Sequence, residues 1–480
     1  MSLARIDARF LLPEPLTTAR AFEREWRAPL AEAGIRVVAG SEAAQAAFGR
    51  RRSVWALTEG DPDAVVLEGM GAERFLRRRG YHVHDYLALP DPSRPALILP
   101  LADRAPAAYA IRTRLIPRSH IKQARKQVVA ALLARGVPPR PRNVMTVGLR
   151  RLQLPFLVGA AGALGVPPGS SWFLVNGSGD ALARGVFFLF PPGAEEPQWA
   201  LKFSRVANYR EPFDRDERGL ALARDAGRTV ADHAPALVGR FEVAGTYASL
   251  ETAACGSRLD DVLLKPGSPG DKLELIETIA AWTLEVARAT AAPDERLAEE
   301  RARLDALTGE LGTRLPAARG LAGALPALRP VLQHNDLGPW NVITRPEGFT
   351  AVDWESARRF GLPLWDLWYF LVGALPLLEG IEPRDLGRFV VRLFRGEART
   401  SPVLFRWTRR SVDALGVPPE SVGAIAALCW LHHSRSHLAR EAALGRFAPG
   451  ASRLLLLAEE MPSLWFSDPG LGTEWRRWSE

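Results

Sequence analysis

The chain has 480 residues, and its 62 Lys and Arg against 54 Asp and Glu give a formal net charge of +8. Hydrophobic residues make up 47% and charged residues 24%, which is the ordinary balance of a globular protein. This composition excludes wholesale disorder, a collagen-like fibre and a disulfide scaffold, and at ~150 residues per domain it predicts about two to four domains.

Residues 1–140 are predicted to form a mixed α/β domain of unassigned role. Three apolar runs are typical of short strands and begin at Val54, Ala64 and Ala96. A helix is predicted over residues 119–134, with Ser119 as its N-cap. Residues 141–170 are predicted to be a basic and apolar linker that contains a second helix near residues 152–164.

At residue 171 the pattern changes to three strand-like runs, SSWFLVNGSG, ARGVFFLF and QWALKFS, joined by Gly- and Pro-rich turns. They indicate an antiparallel meander, and with a helix at 213–226 and a strand near 245–250 they predict a small β lobe over 171–255. Residues 256–480 are predicted to form a helical lobe, interrupted by one β-like island at 331–354. Its main helices are predicted at 271–291, 294–311, 383–394, 422–440 and 451–461.

The positive charge is concentrated between Asp103 and Asp180, where 76 residues include twelve Lys or Arg and no Asp or Glu. The rest of the chain, with 50 basic and 54 acidic residues, carries −4. A solvated face that meets acidic patches of the same chain, an anionic partner, a membrane surface and nucleic acid are all compatible with residues 104–179. Nucleic acid is disfavoured as a partner, because base stacking needs aromatic side chains and Tyr109 is the only aromatic residue before Phe156 in this stretch.

A cytoplasmic protein is expected. The two cysteines, Cys255 and Cys429, lie far apart, and the N-terminal residues lack an apolar core of signal-peptide length. The most apolar run, residues 360–378, contains Asp366 and two prolines. A carboxylate is costly inside a bilayer, so this run predicts a buried helix and no transmembrane segment.

The island at 331–354 carries the chemistry, through His334, Asp336, Asn341 and Asp353. A carboxylate followed five residues later by Asn, with a second carboxylate on the next strand, suits phosphoryl transfer. One Asp can orient the proton of an attacking hydroxyl, while Asn and the other Asp offer oxygen ligands to Mg²⁺. Turn formation by His-Asn-Asp is the structural alternative.

In HNDLGPWN, VDWE and LPLWDL the chain resembles the aminoglycoside phosphotransferase and choline kinase family, whose signature is H-x-D-x-x-x-x-N followed by a strand that ends in Asp. The resemblance covers about residues 170–480. It implies an α+β protein with a bilobal protein-kinase-like fold, and ATP with Mg²⁺ between the lobes. It implies that Asp336 is the catalytic base, that Asn341 and Asp353 bind Mg²⁺, and that His334 and a buried Asp366 support the catalytic loop.

Nucleotide phosphates also need a cation, and Lys202 lies mid-strand in WALKFS, where an unpaired charge is costly. Glu217 on the following helix is its predicted partner. Glu211 is the second candidate, but Pro212 would place it before the helix. A surface lysine on an edge strand is the alternative for Lys202.

Two further elements would bind the nucleotide. The turn that contains Gly177, Ser178 and Gly179 lies where a phosphate-covering loop is expected, although it also suits a plain hairpin. The resemblance places the adenine-binding hinge at backbone groups from Glu251 to Ala253.

The sequence therefore predicts an ATP-dependent kinase that phosphorylates a hydroxyl of an aminoglycoside-, choline- or sugar-like small molecule. An alternative is a catalytically silent nucleotide-binding module that serves a binding or regulatory N-terminal domain. A third possibility is a bifunctional enzyme with a methyl-donor site at GMGAERF, which begins at Gly69, although a plain strand–helix turn is favoured there. His433 and His437 share a helix face and suit a metal, but packing or substrate contact is favoured for them.

Overall fold

The structure is a computed structural model that describes residues 9–11, 36–37, 53–56, 64–68, 76–78, 80–90, 95–115, 126–132, 143–151, 154–176, 182–206, 208–312, 315–444 and 465. The chain divides into two compact units. The first comprises Met1–Phe213 and Leu237–Cys255, and the second comprises Asp214–Ala236 and Gly256–Glu480.

The first unit is built on one sheet of eleven strands. In chain order the strands are β1 (Arg36–Val37), β2 (Ser53–Ala56), β3 (Ala64–Glu68), β4 (His82–Leu89), β5 (Leu97–Pro100), β6 (Val144–Leu149), β7 (Ser171–Val175), β8 (Gly185–Phe190), β9 (Trp199–Phe203), β10 (Leu237–Val243) and β11 (Thr246–Thr252). Their order across the sheet is β1-β2-β3-β6-β4-β5-β7-β8-β9-β11-β10. Neighbours are antiparallel except for β1 and β2, which are parallel.

Strands from the predicted N-terminal domain and from the predicted β lobe belong to the same sheet. They join where β5 pairs with β7, with Leu97 opposite Val175 and Ile98 opposite Leu174. Alternate residues of these strands feed two hydrophobic cores, because successive side chains of a strand point to opposite faces. The sheet is thus continuous across residues 141–170, which were predicted to be a linker.

Two short helices pack on the cores of this sheet. Helix α1 (Arg104–Arg114) places Tyr109 5.6 Å from Phe190, ring centre to ring centre. Helix α2 (Phe156–Ala160) begins with Phe156, which belongs to the other core, and it continues as a 3₁₀ turn to Leu164. Of the helix predicted at 119–134, residues 126–132 are described and are helical, and the rest lies outside the described residues, as does the motif at Gly69.

The central strands β4 and β6 escape sequence-based prediction. β4 reads HVHDYLAL, and its polar first half hides its strand pattern. β6 follows the Pro-rich residues 137–142, yet all six of its residues are buried between β3 and β4. Neighbouring strands, which a local pattern cannot reveal, decide that these segments are extended.

The second unit is mainly helical and contains two small antiparallel sheets. One sheet joins β12 (Ser257–Arg258), β14 (Val342–Arg345) and β15 (Gly348–Ala351), and the other pairs β13 (Val331–Gln333) with β16 (Arg358–Gly361). The helices are α3 (Glu211–Asp225), α4 (Arg228–Ala231), α5 (Leu259–Leu264), α6 (Pro269–Thr290), α7 (Ala298–Leu311), α8 (Trp365–Glu379), α9 (Leu386–Phe394), α10 (Ser401–Leu415) and α11 (Val422–Leu444). An antiparallel sheet and a helical region confirm the α+β class.

Most of the helices in this unit were predicted, with shifts at their ends. α7 and α9 are each preceded by a 3₁₀ turn that the sequence pattern merges with the helix. α10 was not predicted, and the helix expected at 451–461 lies outside the described residues. α3 begins at Glu211, so the prediction that Pro212 places Glu211 before the helix is wrong. Proline is tolerated in the first turn of a helix, because a backbone N–H at that position would have no intrahelical acceptor and its absence costs no hydrogen bond.

Helix α8 forms the buried centre of the second unit, as the apolar run at 360–378 predicted. The indole of Trp368 donates a hydrogen bond of 3.0 Å to Thr408 on α10, and the indole of Trp365 donates one of 3.0 Å to the carbonyl of Ile425 on α11. These bonds satisfy the polar atoms of two buried tryptophans and fix the rotation of α8. Within the part of the chain that the structure describes, no helix is long and apolar enough to cross a membrane.

Helix α3 lies directly against the turn that follows β15. Gly219 on α3 contacts the backbone of Trp354, and a Cβ atom at this glycine would overlap the Trp354 carbonyl group. The missing side chain therefore lets the helix approach the turn that begins at Asp353.

We expect Gly219→Ala to lower the free energy of unfolding by roughly 1–3 kcal/mol, because the added methyl group must push α3 away from the turn. Urea denaturation measures the change. Gly309→Ala is the matched control, since Gly309 is exposed on α7 and its Cβ would meet no atom of the described residues within 4 Å. Alanine's better helix propensity should there raise stability by about 0.5–1 kcal/mol. Equal effects of the two substitutions would contradict the packing argument.

Candidate active site

The motif HNDLGPWN forms one loop between β13 and β14, and we call residues 334–341 the catalytic loop. Asn335 has a left-handed backbone conformation with φ of +64°, which Asn tolerates better than most residues. His334 and Asn335 are buried, whereas Asp336 keeps partial exposure. The last residues form a 3₁₀ turn, Pro339–Asn341. The loop therefore presents one carboxylate and buries the residues before it.

Asp366 holds the start of the catalytic loop from the first turn of α8. Its Oδ2 accepts a hydrogen bond of 2.6 Å from the backbone N–H of His334, and its Oδ1 accepts one of 2.8 Å from the N–H of Asn335. Burial raises the pKa of Asp366 to about 6, and the two hydrogen bonds oppose this rise because they favour the ionised form. One buried carboxylate thus satisfies two backbone donors.

The carboxylate of Asp336 has two side-chain partners. Nδ2 of Asn341 lies 3.0 Å from Oδ2 of Asp336 and 2.9 Å from the Asp336 carbonyl oxygen, so Asn341 donates to both. The hydroxyl of Tyr369 on α8 donates to the same carboxylate. Sequence reasoning missed Tyr369, although its position three residues after Asp366 places both on one helix face.

The pKa of Asp336 is raised to about 8. Burial is the main cause, and the charges of Asp353 and Glu355 add to it, while the hydrogen bonds from Tyr369 and Asn341 lower it. A carboxyl group with a pKa near neutrality is suited to accept a proton from a hydroxyl group.

Asp353 is brought beside the catalytic loop by two backbone contacts of the preceding residue. The Val352 N–H donates to the Asn341 carbonyl at 2.8 Å, and the Val352 carbonyl accepts from Nε2 of His334 at 3.0 Å. Asp353 itself has a left-handed φ of +71° and begins the 3₁₀ turn Trp354–Ser356. The β14–β15 hairpin and the catalytic loop are therefore joined where the polar residues lie.

The residues here fit a magnesium ion. Asp353 offers carboxylate oxygens, and Asn341 uses its amide nitrogen for Asp336, so that its oxygen is the group a cation would need. Oxygen donors of this kind, completed by water and phosphate oxygens, are what Mg²⁺ binds in phosphoryl-transfer enzymes.

His334 braces the catalytic loop through a hydrogen bond of its ring. Because a carbonyl can only accept, Nε2 of His334 carries a proton toward Val352. Burial lowers the pKa of His334 to about 4, so the ring is neutral at pH 7, and it packs 4.6 Å from the Trp354 ring.

Helix α3 contributes charged residues that the sequence did not single out. Arg215 lies 3.4 Å from Glu355, the residue whose charge helps to raise the pKa of Asp336. Asp216 is buried, and its charge favours protonation of His334. The negative charge of the turn that contains Asp353 and Glu355 is thus partly neutralised by Arg215 within the second unit.

In the first unit, Lys202 forms a nearly buried ion pair with Glu251. Nζ of Lys202 lies 2.9 Å from Oε2 of Glu251, and the two side chains are 12% and 2% exposed. Lys202 on β9 is opposite Ser249 on β11, so Glu251 lies two residues further along the same face of the neighbouring strand. The predicted pairing of Lys202 with Glu217, which lies on α3 in the second unit, stays a prediction.

The remaining predicted nucleotide contacts are only partly described. Gly177, Ser178 and Gly179 lie outside the described residues. The residue before them, Asn176, is anchored by Arg205, whose guanidinium donates to the Asn176 carbonyl at 3.1 Å.

Fewer backbone groups of the predicted adenine-binding hinge are available than the sequence suggested. The N–H of Ala253 donates to the Gln198 carbonyl at 2.9 Å, so an adenine ring could use it only by breaking that bond. Glu251 is paired with Ala200 on one side and Leu237 on the other, within the sheet. Backbone contacts of an adenine ring to Glu251 and Ala253 stay a prediction.

The histidines of α11 pack against aromatic rings. His432 stacks on Trp365 at 5.3 Å between ring centres, and His433 stacks on Tyr369 at 3.8 Å. Among the described residues, no group of three His, Cys, Asp or Glu side chains could hold a metal, and the His437 side chain lies outside them.

A loop that joins an Asp and an Asn to a second Asp on a hairpin, braced by a buried carboxylate, defines a candidate phosphoryl-transfer site. The predicted family resemblance is confirmed, because residues 208–415 match the family described as APH, phosphotransferase enzyme family. This segment contains the whole catalytic loop, Asp353 and Asp366. The candidate site thus lies within the segment that resembles phosphotransferases.

Three solved structures are similar to this chain at low identity. An aminoglycoside-3'-phosphotransferase of type VIII is 20% identical with a TM-score of 0.33, over 54% of this chain and 98% of that one. A glucosamine kinase in complex with glucosamine, ADP and inorganic phosphate is 15% identical with a TM-score of 0.33, over 65% and 84%. The bifunctional kinase-methyltransferase WbdD is 16% identical with a TM-score of 0.27, over 58% and 52%. No protein of curated function matches the chain.

We expect Asp366→Asn to destabilise the protein more at pH 4 than at pH 7. Folding raises the pKa of Asp366, so folding favours its neutral form; this stabilising contribution is present below pH 4 and is lost as the pH rises through about 6. The variant lacks this titrating group, and the pH dependence of all other groups cancels when its free energy of unfolding is subtracted from that of the wild type. Urea denaturation at both pH values measures it, with Asp413→Asn, which changes an exposed carboxylate of α10, as the control. An equal cost of Asp366→Asn at pH 4 and pH 7 would contradict the assignment.

Proposed function

We propose that this chain is an ATP-dependent phosphotransferase that moves the γ-phosphoryl group to a hydroxyl of a small-molecule acceptor. The observation that carries the proposal is the position of the Asp336 carboxylate. It is partly exposed, held by Asn341 and Tyr369, and joined to Asp353 through the Asn341–Val352 hydrogen bond.

In this proposal Asp336 orients the acceptor hydroxyl and takes its proton as the oxygen attacks phosphorus. The raised pKa of Asp336 supports this role, because a base is most effective when its pKa lies near the working pH. Asn341 keeps the carboxylate in one orientation through its amide nitrogen. Bound ATP with Mg²⁺ supplies the phosphoryl group and a positive charge to offset the negative charge that builds up during transfer.

Asn341 and Asp353 would hold the metal ion through their side-chain oxygens. Their separation is limited by the backbone bond of 2.8 Å between Val352 and Asn341, which fixes the hairpin to the catalytic loop. A site held by backbone hydrogen bonds needs little rearrangement when a ligand binds, and this preorganisation favours catalysis.

Lys202 would bind phosphate oxygens, and Glu251 would keep the ammonium group of Lys202 in place. A lysine side chain that is 12% exposed needs a countercharge, and the contact of 2.9 Å with Glu251 supplies one. The acceptor stays open among aminoglycoside-, choline- and sugar-like alcohols, and it is the first unknown to test with a panel of acceptors coupled to ADP release.

We expect Asp336→Asn to lower kcat for phosphoryl transfer roughly 10²- to 10⁴-fold, because an amide cannot take the hydroxyl proton. ADP release with the best acceptor of the panel measures the rate, and calorimetry should find ATP binding retained. Asp413→Asn, on the exposed face of α10, is the control and should act like the wild type. Unchanged turnover of the Asp336→Asn protein would refute the role of this residue.

We expect Lys202→Met to weaken ATP binding and also to destabilise the first unit by about 3–5 kcal/mol, because the buried Glu251 would lose the countercharge that lies 2.9 Å away. Adding Glu251→Gln removes that charge, so the double variant should regain much of the stability and still bind ATP weakly. Urea denaturation and ATP titration calorimetry separate the two effects. If the double variant bound ATP as tightly as the wild type, Lys202 would not contact the phosphates.

A further inference from the structure

A row of buried and half-buried polar side chains leads from α7, through α11, to the catalytic loop. Glu300 is 5% exposed and accepts two hydrogen bonds from Arg303, of 2.8 and 2.5 Å. Nη1 of Arg303 lies 3.1 Å from Nδ1 of His432, and Nε2 of His432 lies 3.0 Å from the side-chain amide of Asn335. We call these four residues the Glu300–Asn335 relay.

The donor and acceptor roles along the relay follow from Arg303. A guanidinium group has no acceptor, so Nδ1 of His432 must present its lone pair to Arg303, and Nε2 must carry the proton. That N–H needs an acceptor, and the amide of Asn335 supplies one when its oxygen faces the ring, in exchange for the 3.3 Å contact between the amide nitrogen and the Ser356 carbonyl. The second atom of this amide is buried without a hydrogen-bond partner among the described residues in either orientation, so the orientation is decided at the other nitrogen of the ring, by Arg303.

The relay holds a residue on which Asp336 depends. Asn335 directly precedes Asp336, its backbone has a φ of +64°, and its N–H is held by Asp366. A left-handed backbone is less favourable than a right-handed one for L-residues, so such a turn persists only where contacts hold it. Asp366 holds the backbone of Asn335, and its side chain lies 3.0 Å from His432 and 3.3 Å from the Ser356 carbonyl, so His432 is the nearer of these two contacts.

Further contacts hold His432 and Glu300 in place. The His432 ring stacks on Trp365, the residue before Asp366, at 5.3 Å between ring centres. Glu300 also attracts Arg358 of β16, at 3.5 Å, so this buried carboxylate has two guanidinium partners. A bidentate arginine has a fixed orientation, which fixes the nitrogen that it presents to His432.

We propose that His432, oriented by Arg303 and Glu300, is a positioning residue that sets the conformation of Asn335 and thereby the position of the Asp336 carboxylate. The effect on catalysis rests on the proposed phosphotransferase function, whereas the effect on the catalytic loop does not. Packing of His432 as a simple core residue is the competing explanation.

Two conservative substitutions separate these explanations, because each retains one half of the ring's contacts. The amide of His432→Gln reaches the position of Nε2 and can still bond Asn335. The amide of His432→Asn reaches the position of Nδ1 and can still accept from Arg303, but it falls short of Asn335. If His432 only packs in the core, amide hydrogen exchange in the catalytic loop should be no closer to wild type in His432→Gln than in His432→Asn.

Hydrogen exchange of the full chain, read by mass spectrometry on a peptide that covers residues 331–341, is the first readout. We expect faster exchange of this peptide in His432→Asn, near wild-type exchange in His432→Gln, and similar exchange elsewhere. Equal exchange of the peptide in both variants would overturn the proposal. Should the His432→Asn protein not fold, Arg303→Lys replaces it; it retains the charge beside Glu300 but loses the forked contact, and unchanged exchange there would likewise overturn the proposal.

Steady-state kinetics with ATP and the best acceptor is the second readout. His432→Asn should lower kcat roughly 10- to 100-fold with little change in the KM for ATP, and His432→Gln should restore most of kcat. A rise in KM with unchanged kcat would contradict a role in placing Asp336. If the wild type showed no turnover with any acceptor, the proposed function would fail, and the exchange experiment would still decide whether the relay holds the loop.

Discussion

The candidate site depends on the carboxylate of Asp366 and the two backbone N–H groups that it accepts. Without this acceptor, the N–H groups of His334 and Asn335 would be buried without partners at the point where the chain turns toward Asp336. The carboxylate can perform this role because α8 is immobilised by the indole hydrogen bonds of Trp365 and Trp368. The buried charge of Asp366, which would be unfavourable without partners, therefore fixes the start of the catalytic loop.

A second constraint is the repulsion between Asp336 and Asp353. The charge of Asp353 disfavours the ionised form of Asp336 and so contributes to the raised pKa of Asp336. The protein does not relieve this repulsion by separation, since the Val352–Asn341 and Val352–His334 contacts fix the hairpin to the loop. A cation beside Asp353 would remove much of it. The backbone hydrogen bonds that keep the two carboxylates close together therefore also form a site that suits a positive charge.

The spacing of HNDLGPWN and VDWE allowed the catalytic loop and its hairpin to be predicted, because the residues of a loop and a hairpin are close in sequence as well as in space. The family resemblance, now confirmed for residues 208–415, identified Asp366 in the same way. Glu251 as the partner of Lys202 was missed, since strand register, which the sequence does not show, brings them together. Tyr369 and the Glu300–Asn335 relay were missed for a related reason: helix packing decides which side chains meet the loop.

The N-terminal segment has a role in the fold that its composition did not suggest. β7 has two neighbours, β8 on one side and β5 from the predicted N-terminal domain on the other. Without β5, the edge of β7 would expose unpaired backbone groups beside Phe173, which is buried against Tyr109 of α1. The strand that carries Lys202 lies two strands from β7 in the same sheet. The segment before residue 140 therefore supports the sheet that holds Lys202.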